Sequence, residues 1–122
     1  MKEDLIEKEI KRFGLMLQKL SGLVLEDDLN RARAVIDENF DEQVIHSFLD
    51  GAYDIAESPF HYKKLLFQMD LLYYKLLIQQ KTDEVDRIPQ QKYLLAAKRL
   101  VISHTGNFDL SLQMKMNQVE KF

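Results

Sequence analysis

Cysteine and tryptophan are absent from this 122-residue chain, and Gly (4) and Pro (2) are scarce. Without Cys there is no disulfide, no thiol nucleophile and no cysteine-based zinc or iron–sulfur site. So few turn formers leave little material for the many tight turns of an all-β domain. Positive charge is not in excess: 17 Lys and Arg stand against 20 Asp and Glu, a formal net charge of −3, so there is no basic footprint for nucleic acid. Long apolar runs are missing as well. The most apolar stretch, 65–78, is broken by Gln68, Asp70 and Lys75 and cannot supply the ~20 apolar residues of a membrane span. The N-terminus, Met1-Lys2-Glu3-Asp4-Leu5-Ile6-Glu7, is acidic where a signal peptide needs a basic start and an apolar run. These absences predict a cytoplasmic protein with neither a membrane nor a nucleic acid as partner.

What is present is helical spacing. With 46% hydrophobic and 30% charged residues, the composition is that of a soluble globular chain. The length is that of one domain of ~100–200 residues, so 1–122 reads as a single helical domain. Ile6, Ile10, Phe13, Leu17, Leu20 and Val24 recur at steps of three and four, one stripe of an amphipathic helix that Ser21-Gly22 can end, with Gly22 as a left-handed cap. A second helix is expected over 28–38, with Leu29, Ala32, Ile36 and Phe40 as its stripe and Asp27 or Asp28 as cap. Asn39 followed by Glu42 reads as a capping box for a third helix burying Val44, Phe48, Ala52 and Ile55, with Gly51 inside it or breaking it.

Ser58-Pro59 is the clearest boundary. Ser is a favoured N-cap, and Pro suits the first helical position because its missing N–H had no partner there. The fourth helix then runs to about Lys81 with two apolar stripes. Leu65, Met69, Leu72, Tyr73 and Leu76 form the wider one; Phe60, Phe67, Leu71, Tyr74 and Ile78 form the other. A helix that is apolar on two faces has neighbours on both. It therefore belongs at the centre of the domain, with the second stripe covered either by this chain or by another subunit. Pro89 reopens a helix carrying Tyr93, Ala97, Leu100, Val101 and His104, and Gly106 stops it. From Phe108 onward, alternation fits a strand and Leu112, Met116 and Val119 fit a helix. With no second strand to pair with, helix is expected, capped by Asn107 or Asp109.

The run Thr105-Gly106-Asn107-Phe108-Asp109-Leu110-Ser111-Leu112 resembles the turn of a tetratricopeptide (TPR) repeat, with Gly106, Asn107, Phe108, Asp109 and Ser111 matching in type and order. The resemblance covers the fifth helix, the turn and the sixth helix. Residues 16–40 look like a second pair of the same kind, with Ala32 as the small contact residue. The whole chain looks like the small all-helical proteins of bacterial genomes that carry such hairpins. The resemblance implies antiparallel hairpins in a short TPR-like stack or helical bundle. The fold class expected is all-α, with five or six helices.

Chemistry-bearing clusters are few. Glu42, His46, Asp50 and Asp54 lie four apart and would form one polar stripe of metal-ligand types on a continuous helix. A lone His in such a stripe is more often a solvated face, and no Glu-x-x-His pair of the di-iron kind accompanies it. Phe60-His61-Tyr62-Lys63-Lys64 at a helix start could meet an anion, or simply anchor the helix while the lysines snorkel. His104 in a last turn suits a helix C-terminus. No nucleophile elbow, phosphate loop or zinc-protease motif occurs, so no catalytic, cofactor or metal residue is assigned and no enzyme is expected. Charge is uneven: residues 26–57 carry ten acids against Arg31 and Arg33, a net of −8, fit for a basic partner or for solubility. The expected function is a non-enzymatic protein–protein interaction or scaffold module. Its partner surface would be Phe60, Phe67, Leu71, Tyr74 and Ile78 if another protein or a second copy in a homodimer covers that stripe. The alternative is a small-ligand or metal-binding helical bundle.

Overall fold

The computed structural model describes residues 2–84, 86–103 and 110–122. They form six helices and, among the described residues, no strand: α1 Lys2–Leu25, α2 Leu29–Asn39, α3 Glu42–Leu49, α4 Pro59–Lys81, α5 Arg87–Ser103 and α6 Leu110–Glu120. The fold is all-α, and the last segment is helix. The start of α4 follows from its first residues. Ser58 is in extended backbone and its Oγ accepts the His61 N–H at 3.2 Å, while Pro59 takes the first helical position. At 23 residues α4 is ~35 Å long.

Two apolar cores meet along α4. On one side Leu65, Met69, Leu72, Tyr73 and Leu76 pack with α3, α5 and α6 through Val44, Ile45, Phe48, Tyr93, Leu100 and Val119. On the other, Phe67, Leu71 and Ile78 pack with Phe13, Leu20 and Val24 of α1 and with Ala32, Val35 and Ile36 of α2. Contacts run in order along the axes. Phe13 stacks on Phe67 with centroids 4.3 Å apart, and Asp27 pairs with Lys81 at 3.2 Å, so α1 lies parallel to α4. Lys115 reaches Asp70 at 2.7 Å and Gln118 takes the Tyr73 hydroxyl at 2.6 Å, so α6 is parallel to α4 as well. Lys92 meets Glu42, and Arg99 donates to the carbonyl of Leu49, so α5 is parallel to α3.

The second stripe of α4 is therefore not an open surface. Leu71 is 0% exposed, Ile78 1% and Phe67 2%, while Phe60 and Tyr74 are half-buried against the same core. The chain's own α1 and α2 cover the stripe, because their inward residues supply a matching apolar face and no second copy is needed to keep it from water.

Helix ends differ from expectation in a consistent way. α1 passes through Gly22, ends at Leu25 and is closed by Asp27, which has φ +58°. Asp28 N–H bonds the Leu23 carbonyl and Asp27 N–H that of Val24, the Schellman pattern with Asp in place of Gly. Asp28 precedes α2, but its side chain makes no capping bond. Asn39 is the last residue of α2 rather than a cap; its amide donates to Val35 O, and Asp41 caps α3 by accepting Gln43 N–H at 3.0 Å. α3 stops at Gly51, φ +80°, where Ala52 N–H returns to Ser47 O and Gly51 N–H to Phe48 O. Ala52 is consequently exposed and Ile55 only half-buried. α4 ends on Asp83 at φ +57°, with Glu84 N–H on Gln79 O. The expected roles of His104, Gly106, Asn107 and Asp109, and the TPR-like turn they belong to, lie outside the described residues. Ser111, the small residue of the TPR-like run, is exposed.

Candidate interaction surface

The break at Gly51 removes Asp54 from the helix that would have aligned it with Glu42, His46 and Asp50. What remains is an exposed His46–Asp50 pair at 3.2 Å, with Glu42 turned to Lys92 and Asp54 Oδ1 accepting Ala56 N–H. Among the described residues, no group of three or more His, Asp and Glu side chains is placed to hold a metal. The hydrogen bond from Lys92 holds the Glu42 carboxyl below its ordinary range, and the ammonium charge adds to it.

His61 belongs to the cap of α4. Its Nδ1 is 2.6 Å from Ser58 Oγ, its Nε2 3.7 Å from Glu57, and its carbonyl accepts the Tyr53 hydroxyl at 2.8 Å. Burial, and then the charge of Glu57, push Tyr53 up to about 12. This set ties the irregular segment 50–58 to the first turn of α4 and leaves Lys63 exposed.

Recesses lie on both sides of α3. One of about 200 Å³ has Phe40, Ile45 and Leu72 as its floor and Glu42, Lys75 and Lys92 at its rim. Lys75 sits 5.8 Å from the Phe40 ring and closes the recess toward α2. A wider, shallower basin of about 510 Å³ lies between Phe48, Tyr53, Ile55 and Arg99. The guanidinium of Arg99 is already used, on Leu49 O and 5.6 Å over the Phe48 ring. In both recesses the charged groups are occupied within the chain. The acidic surface over 26–57 is likewise partly neutralised, by Lys81 on Asp27 and Lys92 on Glu42.

On a third surface it is large apolar side chains that meet water. Ten large hydrophobic side chains are exposed among the described residues, and six of them are on α5 and α6: Ile88, Leu95, Val101, Ile102, Leu110 and Met114. On α5 the inward face is Tyr93, Ala96, Ala97 and Leu100, each at most 1% exposed. Ile88 (68% exposed), Leu95 (59%) and Ile102 (72%) stand on the opposite face at intervals of seven residues. Seven residues are nearly two turns, so the three form one line ~21 Å long. α5 also carries Arg87, Lys92, Lys98 and Arg99 and no acid. Lys92, Lys98 and Arg99 lie one turn on from Ile88 and Leu95 and flank the line on both sides. Val101, expected in the inward stripe, is 43% exposed beside it.

Sequence reading passed over this line because α5 is apolar on both faces, a pattern that resembles a fully buried helix. The usable signal is the heptad interval left once the inward stripe is assigned. No family model, curated protein or solved structure matches the chain. Among the described residues, no helix is long and apolar enough to cross a membrane.

Proposed function

We propose that the protein is a non-enzymatic interaction module that engages a protein partner through the outward face of α5. The observation that carries this reading is the line Ile88, Leu95 and Ile102, three large side chains left in water on a helix whose other face is fully packed. Leaving them exposed forgoes about 1.5–3 kcal/mol of burial apiece. Apolar surface gathered in one place marks a contact site more often than scattered apolar residues do. The hairpins α1–α2 and α5–α6 support the TPR-like, scaffold-type part of the reading, and the exposed Ser111 speaks against it.

The test is photo-cross-linking in cells, with a benzophenone amino acid at Leu95 and, as control, at Lys19 on the exposed side of α1. A discrete adduct at Leu95 alone, lost on Ile102→Asp, is expected. No adduct at Leu95, or the same adducts from both positions, overturns the reading.

A further inference from the structure

The chemistry of the α5 face restricts what can cover it, and from it we infer the partner's class: an acidic amphipathic helix lying along the line Ile88–Leu95–Ile102. This inference rests on the reading of α5 as the contact face. The heptad interval is the repeat at which one helix meets another along a shared seam. The positions one turn on from the line, Lys92 and Arg99 on one side and Lys98 on the other, correspond to those that set partner choice by charge across such a seam; Lys92 is held by Glu42 and Arg99 by the Leu49 carbonyl, which leaves Lys98, with Arg87 ahead of it, to meet a partner. Among the described residues, Arg87 and Lys98 have no ion-pair partner. With four cations on α5, of which Glu42 neutralises Lys92, and no acid on the helix, the face stays net positive and its complement carries Glu or Asp beside its apolar seam.

Four other coverings fit less well. Two copies of α5 face to face would set Arg87 and Lys98 of one copy against the same cations of the other. The acidic stretch 26–57 of a second copy offers charge, but none of the ten exposed large hydrophobics lies in it. The exposed Leu5 and Leu15 of α1 are not at a heptad interval and stand among charges of both signs, Asp4, Glu7, Lys8, Lys11 and Lys19, so they offer no acidic seam. An anionic bilayer attracts the same cations but gives no reason for the heptad register of the three apolar residues.

The test uses the full chain and a pair of three-heptad synthetic helices with identical Ile/Leu seams. One has Glu at the flanking positions and its twin has Lys. Binding is followed by fluorescence anisotropy at low salt. The Glu helix is expected to bind saturably, with the Lys twin weaker by about tenfold or more. Leu95→Asp should remove binding, and Arg87→Glu with Lys98→Glu should invert the preference toward the Lys twin. All of these positions are exposed, so circular dichroism melts should coincide with the parent and exclude misfolding. Equal binding of the twins, or no binding of either, overturns the acidic-helix assignment. If the Leu95 adduct in cells persists despite that result, the contact face stands and only the partner's class is wrong. Co-sedimentation with phosphatidylserine vesicles in place of helix binding also overturns it. So does a molar mass of twice 14.4 kDa by light scattering that Leu95→Asp halves.

Discussion

The buried amide oxygen of Gln68 accepts the backbone N–H of Asp41 at 2.7 Å, and the same side chain donates to the carbonyl of Asn39 at 3.1 Å. Between those two residues stands Phe40, the one side chain of the α2–α3 link that packs into both cores. Gln68 lies in the polar strip separating the two stripes of α4 and is only 4% exposed. It thus satisfies the backbone groups on either side of the point where the chain crosses α4 from one core to the other. A buried amide in that position adds little net energy when paired, but its loss leaves two backbone groups without partners. Gln68→Leu should therefore cost about 2–3 kcal/mol in urea unfolding, more than the gain from an added apolar group. A loss below about 0.5 kcal/mol would mean that water replaces both bonds without penalty.

The helix ends make a second, opposite set of predictions. Gly14 and Gly22 are inside α1, and a Cβ added at either meets nothing within 4 Å. Ala at each should stabilise by about 1 kcal/mol, through lower chain entropy in the unfolded state and better helix propensity. Gly51, at φ +80°, is the reverse: Gly51→Ala should cost about 1–2 kcal/mol. Asp83, at φ +57°, holds a position that Gly fills without strain, so Asp83→Gly should raise stability by about 0.5 kcal/mol. Thermal melts resolve these changes at about 4 °C per kcal/mol for a chain of this size. A destabilised Gly22→Ala would show that the residue is held in α1 for a reason other than helix geometry.

The same residues show what the sequence could disclose. The interval of three and four, and Ser58-Pro59, disclose α4 and its central place, because amphipathic spacing and an N1 proline act locally. Helix ends are less legible, since Asp at 27 and 83 takes the left-handed position usually given to Gly, while Gly22 stays helical. The candidate surface is least legible. α4 and α5 are both apolar on two faces; α1 and α2 close over the second face of α4, and among the described residues nothing closes over Ile88, Leu95 and Ile102. Periodicity reports that a face is apolar, and only the packed neighbours decide whether it meets water.

That contrast can be tested with one substitution on each helix. Leu71 is fully buried, so Leu71→Glu places a carboxylate in an apolar core and should cost about 4 kcal/mol or more, leaving an unfolded or insoluble chain. Leu95→Glu changes a side chain 59% exposed and should leave stability within about 0.5 kcal/mol. Circular dichroism and light scattering read both. A folded Leu71→Glu protein of half the parent's mass would identify the α4 stripe as an intersubunit face and overturn the packing described above.

Tyr53 supplies a pH dependence with a definite sign. Its hydroxyl donates to His61 O at 2.8 Å, and burial, with Glu57 adding to it, pushes its pKa up to about 12. In the unfolded chain a tyrosine ionises near 10. Below about pH 10 both states hold the proton and the contribution is intact. Between about pH 10 and about pH 12 the unfolded state releases a proton that the folded state keeps, so stability falls as pH rises through that window. Tyr53→Phe removes this fall, at the expense of about 1 kcal/mol near neutrality for the hydrogen bond to His61. Urea midpoints should converge for the two proteins as pH climbs through the window, because the parent alone loses the contribution. Tyr73, also raised by burial, is common to both and cancels in the comparison. Parallel midpoint curves would show that the Tyr53 hydroxyl ionises as readily in the folded chain as in the unfolded one, and that segment 50–58 is not tied to α4 through it.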